Sequence, residues 1–285
     1  MPQEFRVRGR RRRLRLGREA KMQLESLHIT QVNRINVSSR YLALTAYNEN
    51  PIPLRIDGVR EKHRKLFIAL AAAKGVKERR KMFLGYLRSL LLTKNDNEDK
   101  KRLLREGFTR FLIGWHCDSN SAEGAMLKGW VESRFGLRPT FHRAPMISRE
   151  FPAYARYEDD RARMSNGLLM ALEQFDLIYE FMQDELVAQN PCEKHITLYR
   201  GVYDFSEHSI VGKFSDGRYR LTLNNLNSFT RDFERAWEFG DRVLEVPVPK
   251  TKIFFDNSLL DIEALKGEEE VMVIGGQYDV RLKMY

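Results

Sequence analysis

The spacing of apolar residues changes near residue 193, and this change limits the possible folds more than any other feature of the sequence. Before residue 193 the apolar positions recur every three or four residues, which is the spacing of a helix face. After it the chain consists of short runs rich in β-branched and aromatic residues, separated by Gly, Asn, Asp and Pro. A helical half followed by a strand half predicts an α+β fold rather than an alternating parallel sheet.

The first half contains several segments with helical spacing. The longest predicted helix covers residues 159–188, where one apolar stripe is formed by Met164, Leu168, Leu172, Phe175, Ile178, Met182 and Leu186. A second helix is predicted over 120–137, where Asn120 and Glu123 resemble a capping box. Further helices are predicted over 58–75, 77–92 and 99–115.

The second half predicts strands around one short helix, "DFERAWEFG". The strand segments are "HITLYRGVYDF", "RYRLTLNNLNSFT", "RVLEVPVP", "KIFFD" and "EEEVMVIGGQYDVRLKMY". In the last of these, Gly275-Gly276 predicts the turn of a terminal hairpin. We therefore expect a mainly helical region over 28–192 and a β-rich region over 193–285, integrated into one unit behind a basic, disordered arm over 1–27.

The positive charge of the chain is unevenly placed. Of the net charge of +10, the first 20 residues supply +6, from eight arginines and two glutamates. Such an arm can contact nucleic acid or an acidic protein surface. The simpler interpretation is a solvated, disordered tail, because a charge run alone carries little information.

The remaining composition argues against several classes of protein. No apolar run approaches the roughly 20 residues that a membrane span needs, and no apolar stretch follows the basic N-terminus as in a secretory signal. The two cysteines, Cys117 and Cys192, do not form a disulfide framework and fit a reducing cytoplasm. Neither falls in a zinc-binding spacing, so we expect no metal.

The segment "GEEEVMVIGG" (267–276) places three glutamates directly before an apolar run that predicts a buried strand. Because side chains alternate along a strand, Glu268 and Glu270 would share one face while Glu269 points to the other. Two carboxylates on one face repel each other unless a cation lies opposite, so the pair suits a site that stabilises positive charge. The simpler interpretation is a loop of solvated acids.

Two further segments offer polar groups at strand positions. In "LYRG", Arg200 can hold a phosphate, and Gly201 lets a ligand approach the backbone. In "NSFT", Ser228 and Thr230 offer hydroxyls before the short helix, although Thr230 or Asp232 can also cap that helix. Taken singly, each feature is also explained by solvent exposure or by capping.

In this order, the strand arginine, the Ser-x-Thr and the Glu-x-Glu resemble the arginine–serine–glutamate arrangement of the mono-ADP-ribosyltransferases. The spacing from "SFT" to Ala236, Phe239 and the "VLEVPVP" strand also resembles that superfamily. Phe229 stands in place of its middle hydroxyl residue and Thr230 in place of its last serine. Ser228 keeps the position that matters most.

Four segments narrow the resemblance to the NAD⁺–dinitrogen-reductase ADP-D-ribosyltransferases, the bacterial enzymes that switch off nitrogenase. They are "VNRINV", "PIPLRIDGVREKHRKLF", "DSNSAEGAMLKGWVESRFGLRPTFHR" and "GEEEVMVIGGQY". The likeness covers residues 28–285, and the block over 118–143 is its most specific part. The arginine-rich residues 1–20 match nothing in that family.

The resemblance implies an ADP-ribosyltransferase-type split β-sandwich with NAD⁺ between its sheets. It implies that Arg200 binds the phosphates, that Gly201 offers backbone to the nicotinamide amide, and that Ser228 supports the ribose and the catalytic Glu270. It assigns Glu268 to the acceptor arginine. The nicotinamide pocket would further contain Thr230 and either Phe239 or Phe233.

The same resemblance implies the substrates and partners. NAD⁺ would be the substrate, with an arginine of the nitrogenase iron protein as acceptor and a PII-type nitrogen-signalling protein as regulator. Alternatives are a transferase that acts on another protein and, less favoured, a basic regulator that binds nucleic acid. Deleting residues 1–20 separates them: the nucleic-acid hypothesis predicts lost, salt-sensitive DNA or RNA binding, whereas the enzyme hypothesis predicts little change in NAD⁺ turnover.

For isolated residues we expect a structural role rather than a catalytic or metal-binding one. In "WHCD" (115–118), His116 lies beside Cys117, but no matching cluster elsewhere supports a metal or thiol site, and a packed helix end is expected. Lys128 and Trp130 lie in the most specific block and are expected to support either the cleft or a partner surface.

Overall fold

The computed structural model describes residues 28–30, 32–91, 107–146, 151–164, 168–203, 208–262, 265 and 269–284. Helices dominate the described chain up to residue 189, and a six-stranded antiparallel sheet follows. The α+β prediction is therefore confirmed. The basic arm over 1–27 and Glu268 lie outside the described residues.

The helical half contains α1 (Ser39–Leu42), α2 (Thr45–Glu49), α3 (Val59–Lys62), α4 (Arg64–Ala72), α5 (Val76–Ser89), α6 (Phe108–Cys117), α7 (Ala122–Phe135), α8 (Pro152–Arg163) and α9 (Leu168–Gln189). A two-stranded ribbon, β1 (Phe141–His142) and β2 (Ala144–Pro145), follows α7. The prediction of one helix over 159–188 was wrong, because α8 ends at Arg163 and Met164 is its C-cap, with φ −94° and ψ 6°. None of the described helices is long and apolar enough to cross a bilayer.

The start of α7 differs by one residue from the predicted capping box. Ser121 is the N-cap, and its hydroxyl accepts a hydrogen bond from the amide of Gly124 (3.0 Å). Asn120 instead accepts from the Lys128 ammonium (3.1 Å), while Glu123 pairs with Arg110 (2.9 Å). Both residues of the predicted box thus bind side chains elsewhere in the fold.

The sheet is built from β3 (His195–Val202), β4 (Ser209–Lys213), β5 (Arg218–Thr230), β6 (Arg242–Pro249), β7 (Ile253–Asp256) and β8 (Glu270–Met284), with short helices α10 (Phe233–Trp237) and α11 (Asn257–Leu260) between strands. β5 pairs with β3 and with β8, and β6 also joins β3 to β8. Each of these four strands therefore pairs with two of the others, so that together they form a closed ring. This arrangement brings the ends of β3, β5 and β8 together on one side of the sheet.

The long strand β8 runs unbroken through Gly275 and Gly276, so the predicted hairpin turn was wrong. A Cβ at Gly275 would lie 1.7 Å from the carbonyl oxygen of Asn224, and Gly276 has φ +107. Opposite them, β5 shifts its register between Leu223 and Leu226. The two glycines of the continuous strand β8 thus permit a close backbone approach opposite a bulge, whose extra residue lies in β5.

One hydrophobic core contains side chains of both halves. On α9, the predicted stripe residues Phe175, Ile178, Met182 and Leu186 are fully buried. Trp130 of α7 packs against Phe254 of β7 with ring centroids 4.4 Å apart, and its indole donates to the carboxylate of Asp176 (2.7 Å). Trp130 therefore supports the junction of helices and sheet.

Candidate active site

Three strand ends meet at one edge of the sheet and bring the predicted site residues together. Tyr199 of β3 pairs with Thr230 of β5, and Thr230 pairs in turn with Glu270 of β8. Arg200, Ser228 and Glu270 consequently line one cavity of about 300 Å³. Arg200 and Ser228 are 28 residues apart along the chain, and Ser228 and Glu270 are 42 apart.

The carboxylate of Glu270 is held by two hydrogen-bond donors. The hydroxyl of Ser228 donates to Oε1 (2.5 Å), and the indole Nε1 of Trp115 donates to the same oxygen (2.9 Å) and to the Ser228 hydroxyl (2.8 Å). The side chain of Glu270 is 10% exposed, so it lies in the cavity wall rather than in bulk solvent. The donors fix the orientation of this carboxylate before any ligand binds.

Trp115 and His116 are site residues that the sequence analysis missed. The segment "WHCD" does end a helix, since α6 ends at Cys117, but both side chains reach the cavity. His116 Nδ1 lies 3.7 Å from Glu270 Oε2. The bonds of Trp115 join residues 113 and 155 positions apart, so no local pattern reveals them. The sequence feature that could have identified Trp115 and His116 is their position directly before the family-specific block over 118–143.

Lys128 supports this wall of the cleft from inside. It is almost completely buried, and its ammonium lies 5.9 Å from the ring centre of Trp115. The ammonium donates to the side chain of Asn120 (3.1 Å) and to the carbonyl of Phe141 (3.0 Å). Burial, reinforced by the neighbouring Lys128, lowers the pKa of His142. Of the two roles considered for Lys128, the support of the cleft is the one that its contacts favour.

Arg200 and Gly201 lie side by side in the cavity lining, on β3. The guanidinium of Arg200 donates to the carbonyl of Ser228 (2.9 Å), which ties β3 to the end of β5. A Cβ at Gly201 would lie 2.0 Å from the carbonyl oxygen of Ala236, so a glycine is required by the packing of β3 on α10. The backbone of Gly201 is therefore approached closely by another part of the protein's own backbone.

The predicted pocket residues Thr230, Phe239 and Phe233 occupy different places. Thr230 lines the cavity, and its hydroxyl accepts from the amide of Asp232 (3.1 Å) at the start of α10. Phe239 is 55% exposed at the cavity rim. Phe233 instead packs edge-on against Tyr199, with centroids 5.4 Å apart, and lines a neighbouring cavity. Of the two phenylalanines, Phe239 is therefore the one that borders the candidate site.

The acidic segment is described only from Glu269 onward. Glu269 is exposed and borders both the candidate site and the neighbouring cavity, whereas Glu270 begins β8. The prediction that Glu268 shares a face with Glu270 lies outside the described residues. Within the described chain, no group of three or more His, Cys, Asp or Glu residues could hold a metal ion.

A second cavity, of about 470 Å³, lies near the other ends of β5 and β8. It is larger than the candidate site, but two of the charged groups in its lining are held in close ion pairs. Arg218 binds Asp216 (2.7 Å), and Asp279 binds Arg220 (2.7 Å). The Arg–Ser–Glu set lines the smaller cavity, and we assign the chemistry there.

An α+β chain whose sheet gathers an arginine, a serine and a glutamate around one cleft has the arrangement of an Arg–Ser–Glu-type ADP-ribosyltransferase. Sequence comparison identifies the particular family. The profile of the dinitrogenase reductase ADP-ribosyltransferases (DRAT) matches residues 32–282, and the chain belongs to this family.

A curated relative agrees with this assignment. The chain is 38% identical over 259 residues to the NAD(+)–dinitrogen-reductase ADP-D-ribosyltransferase of Rhodospirillum rubrum. The alignment covers 87% of this chain and 93% of the relative, so the likeness includes the helical half as well as the sheet. No solved structure gives a significant match.

Proposed function

We propose that this protein transfers ADP-ribose from NAD⁺ to an arginine of dinitrogenase reductase and thereby switches off nitrogen fixation. Family membership and the name of the Rhodospirillum rubrum relative support both substrates. The observation that carries the proposal is the orientation of Glu270 by Ser228 and Trp115, in a cleft that also contains Arg200.

The residues of the cleft fit the chemical groups of NAD⁺. The guanidinium of Arg200 suits the phosphates, because arginine binds phosphate oxygens through paired N–H groups. The hydroxyl of Ser228 and the carboxylate of Glu270 suit the ribose. The exposed ring of Phe239 can pack on the flat nicotinamide, and the backbone of Gly201 and the nearby Thr230 complete this part of the pocket.

Glu270 acts on the charge that develops as the bond between nicotinamide and ribose breaks. The ribose then gains positive character, as in glycoside hydrolysis, and an oriented carboxylate stabilises that charge. Nicotinamide leaves as a neutral group from a cationic ring, so the step requires no general acid. The contribution of the protein is a carboxylate fixed in place before the reaction begins.

The acceptor poses a different problem, because a protonated guanidinium is a poor nucleophile. Its pKa lies above about 12, so it arrives as a cation and must lose a proton as it attacks. Glu268 is proposed to orient this group and to accept its proton. The two glutamates would then face two successive cations, first the ribose and then the arginine.

Two further features belong to the same proposal. A PII-type signal protein is proposed as regulator, by analogy with the family. The cytoplasm is proposed as the place of action, because Cys117 and Cys192 are both free thiols on the surface.

Incubation with labelled NAD⁺ and purified dinitrogenase reductase, followed by mass mapping, tests the function directly. The expected result is one ADP-ribosylated arginine on dinitrogenase reductase. Labelling of other proteins in a cell extract, with dinitrogenase reductase left unmodified, would favour the alternative acceptor. No labelling of any protein would contradict a transferase.

Trp115→Phe keeps an aromatic side chain, with a phenyl ring in place of the larger indole, and removes the N–H that holds Glu270. A hydrogen bond to a charged group contributes about 1.5–3 kcal/mol, so kcat is expected to fall about tenfold to a hundredfold. The KM for NAD⁺ should change little, because the phosphate and ribose contacts remain. Steady-state kinetics separate the two, and an unchanged kcat would contradict the positioning role of Trp115.

A further inference from the structure

Positive charge outside the N-terminal arm is concentrated between residues 59 and 89, which span α3 to α5. This segment holds ten lysines and arginines against two glutamates, a net charge of +8. Residues 1–20 supply +6 of the total of +10, which leaves only +4 for residues 21–285. The remainder of that range is therefore net negative, and the basic segment stands out from it.

Four of these ten cations are engaged in ion pairs: Arg60 with Glu180 (2.6 Å), Lys62 with Glu173 (2.7 Å), Arg79 with Glu185 (2.6 Å) and Arg80 with Asp261 (2.9 Å). The other six are exposed, and among the described residues no carboxylate oxygen lies within 4.0 Å of their charged side-chain nitrogens: Arg64, Lys65, Lys74, Lys77, Lys81 and Arg88. The fold thus uses part of the basic segment internally and leaves a larger part facing outward.

Three of the outward cations share one face of α5 with a glycine. Lys77, Lys81, Gly85 and Arg88 follow the i, i+4, i+8, i+11 spacing of one helix face, and we call this set the α5 face. Gly85 is exposed, and no heavy atom lies within 4 Å of the position that its Cβ would take. A glycine inside a helix costs about 1 kcal/mol relative to alanine, and its surroundings do not require it.

Helix α5, which carries this face, is joined through Arg80 to an element beside the catalytic cleft. Arg80, next to Lys81 on the same helix, donates to the carbonyls of Leu259 (2.8 Å) and Ser258 (3.0 Å) at α11. Ser258 lines the neighbouring cavity, which shares Tyr199 and Glu269 with the catalytic cavity. A protein that reaches into the cleft over α11 would therefore come close to the α5 face.

We propose that the α5 face docks an acidic surface of the protein acceptor, while the target arginine enters the cleft; this inference rests on the proposed function. The three cations supply the charge complementarity, and Gly85 leaves bare helix backbone between them for close contact. The N-terminal arm of the chain is not the occupant, because it carries charge of the same sign. Such complementarity chiefly accelerates encounter and selects the partner.

Charge reversal on the α5 face tests the proposal. In the double variant Lys77→Glu, Lys81→Glu, the KM for dinitrogenase reductase is expected to rise about tenfold or more, because like charges would then face each other. The slow hydrolysis of NAD⁺ should stay at the wild-type rate, since neither lysine lines the cleft. The wild-type KM for the acceptor should also rise with ionic strength, and the variant should lose most of that salt dependence.

The matched control is Lys194→Glu, Lys213→Glu. Both lysines are exposed on the sheet half, and the net charge changes by the same amount. This control should leave the KM for the acceptor near the wild-type value. Equal effects of the two double variants, or no effect of either, would overturn the docking surface. Absence of label on dinitrogenase reductase with the wild-type enzyme would instead overturn the proposed function.

Gly85→Gln tests the close approach without changing charge. Glutamine favours a helix more than glycine does, and the open space leaves room for it, so the variant should fold at least as stably. Its bulk between Lys81 and Arg88 should raise the KM for the acceptor, whereas Gly85→Ala should raise it less. A wild-type KM in Gly85→Gln, together with an increased melting temperature, would show that no partner backbone approaches here.

Discussion

Replacing Glu270 by glutamine is expected to abolish ADP-ribose transfer while NAD⁺ still binds. The amide is nearly isosteric with the carboxylate, so the Ser228 and Trp115 side chains keep a partner at the position of Oε1. The negative charge is lost, however, and with it the stabilisation of the developing ribose cation. Removal of one preorganised electrostatic group commonly costs about 10²–10³ in rate. Transfer with labelled NAD⁺ and direct binding of NAD⁺ measure the two parts separately.

The neighbouring residue provides a matched control for this variant. Glu269 borders the same cavity, is exposed and carries the same charge, but it precedes the start of β8. Glu269→Gln should therefore keep most of the transfer activity. Full activity in Glu270→Gln would refute the catalytic role of Glu270. An equal loss in both variants would indicate that general negative charge matters rather than one oriented carboxylate.

Replacing Glu268 by glutamine is expected to separate two reactions of the same site. Arginine modification should be almost completely lost, because the protonated acceptor would no longer be oriented or deprotonated. The slow hydrolysis of NAD⁺ should decrease less, since water needs no such help and Glu270 remains. Parallel assays of protein labelling and of nicotinamide release from the same preparation give the ratio of the two rates.

The ratio of protein labelling to nicotinamide release, rather than either rate alone, tests the role of Glu268. A general disturbance of the cleft would lower both rates together, and that result would argue against a separate acceptor function. Glu268→Asp offers a conservative comparison, because it keeps the charge and shortens the side chain. Partial recovery of arginine transfer in Glu268→Asp would support a role that depends on the carboxylate.

The parts of the fold that follow local patterns could be predicted from the sequence. Phe175, Ile178 and Met182 of the predicted apolar stripe are buried in α9, as helical spacing predicted. Gln174, Asp176 and Glu180 on its other sides are buried as well, which the stripe did not predict. The convergence of Ser228 and Glu270 followed from their places at the end and the start of predicted strands, read together with the family resemblance.

The parts that depend on distant partners could not be predicted. Gly275 and Gly276 read as a turn, yet the backbone of Asn224 on the neighbouring strand packs against Gly275, and the backbone of Ala43 packs against Gly276. Trp115 reads as the apolar end of a helix, yet its indole N–H binds Ser228 and Glu270 across the fold. In both cases the sequence shows the residue type. The role of the residue, however, depends on a contact with a residue far away in the sequence, which local spacing does not predict.

A crystal structure of the Glu270→Gln variant with NAD⁺ bound would show whether Arg200, Ser228 and residue 270 surround one dinucleotide. We expect the nicotinamide ribose within hydrogen-bond distance of residue 270 and Ser228, with the phosphates against Arg200. NAD⁺ bound in the larger cavity near Arg218 and Asp279, or with its phosphates remote from Arg200, would contradict this expectation.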